Sequence, residues 1–209
     1  SYDYTEKWEK LLTPQIVSYL TAIHEYKGEQ RFIAKRHADV LNDLVEAARI
    51  QSTESSNKIE GIYTSDERLK KIVLDKTMPR SRDEREIAGY RDALNTIHEN
   101  HEHIPIRSTF ILQLHRDLYK FENGAMGGVF KSVDNIIEEK NGEGVSSVRF
   151  RPVAAWETSE AVERLCEAYH NAIARTAADP LLIIPMFLLD FSCIHPFQDG
   201  NGRMSRLLT

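Results

Sequence analysis

The residues with the clearest potential for chemistry lie in one short segment near the carboxyl terminus of the sequence. His195 can act as a base near neutral pH, and Asp199 offers an oxygen ligand of the kind that Mg²⁺ prefers. The Gly-Asn-Gly run at 200–202 is flexible, and its N–H groups can face an anion. Arg203 and Arg206 are three positions apart, so both guanidinium groups leave one face of a helix. The spacing therefore predicts a site that handles phosphate groups.

The segment reads HPFQDGNGRMSR over residues 195–206, and we call it the motif segment. It resembles the Fic-family motif HxFx[D/E]GNGRxxR at every defined position. Fic proteins are mostly adenylyltransferases, which transfer AMP from ATP to a hydroxyl side chain of a target protein and release pyrophosphate. Each part alone has an ordinary explanation, such as a core histidine, a tight turn or a solvated helix face.

The resemblance implies one role for each defined residue of the motif segment, with ATP as the substrate and Mg²⁺ as the metal. These roles are general base for His195, buried anchor for Phe197, metal ligand for Asp199, phosphate binding for Gly200, Asn201 and Gly202, contact with the β-phosphate side for Arg203, and contact with the γ-phosphate for Arg206.

A second resemblance lies upstream, where Ser56, Glu60 and Gly61 match the inhibitory motif [S/T]xxxE[G/N] that some Fic proteins carry before the core. It implies that Glu60 pairs with Arg206 and displaces the γ-phosphate of ATP. A charge-assisted pair of this kind is strong, so the competition is physically sensible.

The same residues allow another interpretation. Asn57 and Glu60 have the spacing of a capping box, in which they would only begin a helix.

Short β-branched runs at Val133–Ile137 and Val148–Phe150, joined by the turn KNGEG, predict a β-hairpin. It resembles the Fic flap, on which a target protein docks by adding a strand. The docking residues would be Val133, Asp134, Asn135, Ile136 and Ile137. Lys131 and Val153 depart from the family pattern, where Arg and a second Pro are commoner. The alternative is a purely structural hairpin that covers the core.

Helical periodicity dominates the rest of the sequence and predicts an all-α fold, a Fic-like bundle with a small hairpin. We expect helices from Pro14 and over about 30–50, 65–75, 82–101, 107–121, 157–177 and 201–209, and a buried central helix in the almost wholly apolar run after Asp179-Pro180.

The resemblance begins near residue 50. We therefore expect an N-terminal helical extension at 1–50 and a Fic core at 51–209, with an inhibitory helix at about 52–61. The helix-like ending of the sequence also suggests a core that continues beyond residue 209 in a longer parent protein.

Composition limits the class of protein. The 209 residues carry a net charge of −5 with a pI near 5.9, which argues against DNA binding within this segment. Two cysteines, no signal-peptide pattern and no long apolar run favour a soluble cytoplasmic protein without membrane contact. The histidine-rich run at 98–103 is interpreted as a solvated helix end rather than a metal site.

The combined expectation is an adenylyltransferase inhibited by its own Glu60. Other Fic chemistry is an open alternative, either transfer of UMP or another phosphate-containing group, or removal of AMP. A non-enzymatic regulatory module with a DNA-binding domain beyond residue 209 is another. The target protein is unknown, and self-modification and homodimer formation are both compatible with the sequence.

Overall fold

The computed structural model describes residues 2–36, 38–122, 127–140, 142, 144, 146–175 and 178–209. The described residues form a helical bundle with one two-stranded sheet, as the sequence predicted. The α-helices are α1 (Tyr4–Lys7), α2 (Pro14–Arg36), α3 (Ala38–Ile59), α4 (Asp66–Val73), α5 (Arg82–Asn100), α6 (Ser108–Leu118), α7 (Thr158–Arg175), α8 (Pro180–Ile194) and α9 (Asn201–Leu207). Short 3₁₀ turns occupy Trp8–Leu11, His101–His103 and Ala155–Glu157.

Local signals set several of these helix ends. Ser65 and Ser81 cap α4 and α5 by accepting backbone N–H groups through their hydroxyls. Asp179 caps α8 by accepting the N–H of Leu181 through its carboxylate, and Pro180 takes the first position of the helix, where a missing N–H is harmless. These helices therefore begin where the sequence predicts.

The predicted helix at about 30–50 was wrong at both ends. Helix α2 continues to Arg36, and α3 runs from Ala38 to Ile59, straight through residue 50. The polar run STESSNK at 52–58 forms the last turns of α3. Its side chains at Thr53, Ser56 and Asn57 are buried against the rest of the bundle. Tertiary contacts thus override the weak helix propensity of serine, threonine and asparagine.

The core has two parts. The larger one lies among α5, α6, α7, α8 and α9 and also takes in Tyr4 near the amino terminus. The smaller one joins α4 to α5 through Leu69, Ile72 and Ile87. The larger part supports the loop between α8 and α9, which carries the first half of the motif segment.

Helix α8 is buried on one face only, so the prediction of a helix surrounded by core was wrong. Ile183, Phe187 and Phe191 point into the bundle, whereas Leu181 and Leu189 are 38% and 65% exposed. The reason is its position, because α1, α7 and α9 all pack on its inner side. None of the helices in the described ranges is long and apolar enough to cross a membrane.

The hairpin consists of β1 (Ile137–Lys140) and β2 (Ser146–Phe150), paired antiparallel with Glu138 opposite Val148. The first predicted strand was misplaced. Of the run 133–137 only Ile137 lies in β1, and the four residues before it form an irregular segment. Asn141 and Glu143 of the predicted turn lie outside the described residues.

Candidate active site

The motif segment spans the junction of α8 and α9. His195 ends α8 in the left-handed region, with φ 51° and ψ 62°, an uncommon conformation for a residue other than glycine. Gly200, at φ 82°, precedes α9. A Cβ atom on Gly200 would lie 3.0 Å from the hydroxyl of Tyr119, so both its conformation and its surroundings favour glycine.

Phe197, the expected anchor of the loop, lies buried below it. Its fully buried ring stacks on His115 with 3.7 Å between ring centroids. The side-chain amide of Asn201 accepts the N–H of Phe197 at 2.9 Å and donates to its carbonyl at 2.8 Å. The Asn201 side chain therefore braces the loop.

His115 is a second brace that sequence reasoning missed. Its Nδ1 accepts the N–H of Gly128 at 3.0 Å, which places the proton on Nε2, 3.1 Å from the carbonyl oxygen of Asp199. Burial lowers the pKa of His115 to about 4, so the ring is neutral at pH 7. Its position beside Leu114 on an apolar helix face gave no signal beyond that of an ordinary core residue.

Asp199 stays exposed at the surface of the site. One carboxylate oxygen accepts the N–H of Gly200 at 2.6 Å. Burial raises the pKa of the Tyr119 hydroxyl, and the negative charge of Asp199 raises it further. The loop thus presents a carboxylate whose direction is set by its neighbours.

Arg203 faces the interior and is only 1% exposed. Its guanidinium group lies 2.8 Å from a carboxylate oxygen of Glu86 and donates to the hydroxyl of Tyr119 at 2.8 Å. Glu86 is buried as well. No feature of the sequence marked Glu86 or Tyr119, because their roles depend on which helices meet.

Arg206, on the same helix, contacts α3 instead. It donates to the hydroxyl of Ser56 at 2.7 Å, to the carbonyl of Ser56 at 3.0 Å and to a carboxylate oxygen of Glu60 at 2.6 Å. The structure therefore brings together the two residues that the second resemblance paired, across 146 positions of sequence.

The capping-box interpretation of Glu60 was wrong, because these residues end α3. The N–H of Gly61 bonds to the carbonyl of Lys58, and that of Ile62 to the carbonyl of Asn57. Gly61 adopts φ 77°, so this is a Schellman ending. Glu60 is the last residue before the turn.

The imidazole of His195 is half-buried. Burial lowers its pKa, the nearby ammonium group of Lys131 lowers it further, and the carboxylate of Glu60 acts in the opposite direction. The net effect is downward, so His195 is neutral at pH 7 and can accept a proton.

The remaining predicted residues lie at the base of the hairpin. Val133 and Ile136 are exposed. Asp134 accepts the backbone N–H of Ala155 at 2.7 Å, and Asn135 bonds to the loop of the motif segment. The predicted docking residues therefore include two that fasten the hairpin to the core.

Asp199 is the carboxylate that the motif segment itself offers to a metal ion. In the described ranges, no group of three or more His, Cys, Asp or Glu side chains is placed to hold a metal, including the exposed histidines at 98–103. Asp199 alone still suits Mg²⁺, which usually keeps waters and phosphate oxygens as its other ligands. The donor set therefore fits an ion that enters together with a nucleotide.

Three solved structures show the same fold. A Fic family protein from Desulfovibrio desulfuricans has a TM-score of 0.73 at 21% identity over 94% of this chain. A Fic domain containing signaling protein from Bacteroides thetaiotaomicron has 0.69 at 22% over 80%. A fragment of Fic-1 from C. elegans has 0.63 at 19% over 99%. This chain spans 56%, 63% and 62% of those three chains.

No curated protein matches the sequence. A family model described as Fic/DOC family matches residues 105–209, which is half of the chain. Proteins of that family are typically transferases that move phosphate-containing groups from nucleotide substrates to proteins. The model match covers the whole motif segment and agrees with the fold of the three structures, and this chain belongs to the Fic/DOC family.

Proposed function

We propose that this chain is a protein adenylyltransferase that its own Glu60 holds inactive. The observation that carries the proposal is the ion pair between Glu60 and Arg206. A carboxylate oxygen of Glu60 lies 2.6 Å from the guanidinium group of Arg206, which belongs to the motif segment. Arg206 cannot bind that carboxylate and a γ-phosphate together with good geometry.

The position of Glu60 supports a competitive role. A carboxylate at the carboxyl end of α3 faces the negative end of the helix dipole, which disfavours it locally. The group also comes so close to the motif segment that a Cβ atom on Gly202 would lie 2.3 Å from its oxygen. Glu60 therefore places negative charge against the glycine run where a phosphate is expected.

The proposed reaction uses few groups of the protein. Neutral His195 accepts the proton of the target hydroxyl while that oxygen attacks the α-phosphorus of ATP. The bond from the α-phosphorus to the oxygen of the β-phosphate breaks, and pyrophosphate leaves. Arg206, once free of Glu60, orients the γ-phosphate. Bound at Asp199, Mg²⁺ would supply positive charge next to the phosphates.

We also propose that the target protein docks along the hairpin. Strand β2 is exposed over its whole length, including Val148 and Phe150. An extended peptide can add to such a strand through backbone hydrogen bonds, with affinity independent of most side chains. This would place a target hydroxyl near the loop that carries His195.

The decisive experiment compares Glu60→Gly with wild type, using ATP labelled in the α-phosphate and either a cell lysate or the chain itself as acceptor. Removal of Glu60 should raise AMP transfer about tenfold to a hundredfold, because the freed Arg206 can then make charge-assisted hydrogen bonds to the γ-phosphate, which contribute about 1.5–3 kcal/mol. Glu54→Gly is the matched control, because Glu54 pairs with Lys58 on α3 and lies away from the motif segment.

Adding His195→Ala to Glu60→Gly should remove transfer while ATP binding persists, since the imidazole acts on the target hydroxyl. A Glu60→Gly variant no more active than Glu54→Gly would contradict the inhibitory role. Transfer of label from UTP in place of ATP would contradict adenylylation but keep the site, and a variant that binds no nucleotide would contradict both.

A further inference from the structure

Lys131 is a buried cation beside the loop of His195, and the proposed reaction gives it no role. The residue is only 4% exposed. Its ammonium group donates to the carbonyl of Ile194 at 3.0 Å and to the side-chain oxygen of Asn135 at 2.9 Å. Its backbone N–H donates to the carbonyl of Pro196 at 2.9 Å. Lys131 thus holds the chain on both sides of His195.

His195 needs such support because of its backbone. A left-handed conformation in a residue other than glycine is strained and persists only when its surroundings impose it. Bonds to the residues directly before and after His195 impose it here. Asn135 adds a third contact, from its side-chain NH₂ to the carbonyl of Phe197 at 3.2 Å.

We infer that Lys131 is a positioning residue for His195, and that Asn135 connects it to the base of the hairpin. The inference rests on the proposed role of His195 as the base. Lys131 fixes the direction of the imidazole through the backbone, and its charge keeps the ring from taking up a proton. Lys131 and Asn135 both lie in the segment directly before β1. The segment that leads into the hairpin therefore also sets the position of His195, the base that acts on a target docked there.

The charges around His195 predict the direction of the effect. Lys131 and Glu60 face the ring, the first favouring the neutral form and the second the protonated form. Asp134 in turn faces Lys131 and favours its charge. Loss of the ammonium group should therefore raise the pKa of His195. Since the base must be neutral, the acid side of the activity profile should move to higher pH.

The first test is an NMR titration of the histidine rings in the full chain, with the His195 signal assigned from its loss in His195→Ala. Lys131→Met should raise the pKa of His195. Lys131→Arg should restore the wild-type value. Lys71→Met is the matched control, because Lys71 pairs with Glu67 on α4 far from the loop. An unchanged pKa in Lys131→Met would overturn the electrostatic part of the inference.

The second test measures AMP transfer in the Glu60→Gly background. Lys131→Met should lower kcat about tenfold, and Asn135→Ala should lower it a few-fold. The Kd for ATP should stay within about twofold of the Glu60→Gly value in both. Asn135 is only partly buried, so its variant keeps the test valid if Lys131→Met does not fold. An unchanged kcat in Asn135→Ala would overturn the positional part. Absence of transfer in Glu60→Gly itself would refute the proposed function instead, and the NMR titration would still decide the role of Lys131.

Discussion

The loop from His195 to Asp199 is held by buried side chains, whereas the guanidinium group of Arg206 is held by a partly exposed carboxylate from another helix. The side chains of His115 and Asn201 bond to the backbone of the loop, and that of Lys131 bonds to the carbonyl of Ile194 directly before it. At the other end of the motif segment, Arg206 and its carboxylate partner are 32% and 36% exposed.

The difference teaches which contacts can be exchanged. Leaving a buried polar group without its partner costs about 1–3 kcal/mol, so the loop keeps its shape. An exposed ion pair contributes only about 0–1 kcal/mol, because water and salt compete for both charges. The Arg206 contact can therefore give way to a phosphate at little expense to the fold, while the base and the metal ligand stay in place.

The largest expected effect concerns the buried partner of Arg203. Glu86→Leu should lower the free energy of unfolding by about 3–5 kcal/mol, because it leaves the Arg203 charge buried without its carboxylate. Urea denaturation at constant m-value measures the loss. Glu160→Leu is the control, since its pair with Arg164 is exposed and should change stability by less than about 0.5 kcal/mol.

A Glu86→Leu variant as stable as Glu160→Leu would contradict the difference between the buried and the exposed contacts of the motif segment.

The next effect is a pH dependence of stability, and it comes from His115 below the loop. The pKa of His115 is about 4 in the folded chain and 6.5 in the reference state. The unfolded chain therefore binds a proton that the folded chain refuses, so stability is full above pH 6.5 and falls as the pH drops toward 4. The loss attributable to His115 should be about 3 kcal/mol.

The measurement is the slope of unfolding free energy against pH between 4 and 6.5, in wild type and in His115→Gln. This slope is proportional to the number of protons taken up on unfolding, and in His115→Gln that number should be smaller by up to one. His103→Gln changes an exposed position and should keep the wild-type slope. Equal slopes in all three proteins would mean that His115 is protonated in the folded state.

The smallest effect on stability belongs to the exchangeable end. Arg206→Ala should lower the free energy of unfolding by about 1–2 kcal/mol, because the exposed pair with Glu60 contributes about 0–1 kcal/mol and the buried hydroxyl of Ser56 loses its donor. In the Glu60→Gly background the same change should weaken ATP binding about tenfold to a hundredfold, through loss of charge-assisted bonds to phosphate. Calorimetric titration with ATP gives the affinity, and Arg164→Ala, whose pair is also exposed, serves as the control.

A strongly destabilised Arg206→Ala would show that the contact with α3 is structural. An unchanged ATP affinity would show that the phosphate lies elsewhere.

The family and the residues of the motif segment could be predicted from the sequence, because they depend on residue types at short fixed spacing. Most helix bounds were predictable for the same reason, since serine caps and proline act on their own turn. Local signals failed where packing decides. The polar end of α3 is helical because the bundle buries it.

Only the tertiary structure decided what surrounds the motif segment. Glu86, His115 and Tyr119 come from α5, α6 and the turn that follows α6, and nothing in their own sequence environments marks them. Lys131 could be noted as unusual, but its two bonds across His195 required the loop to be in place. Charge pairs and braces of this kind depend on distance in space, and the order of residues along the chain does not contain that distance.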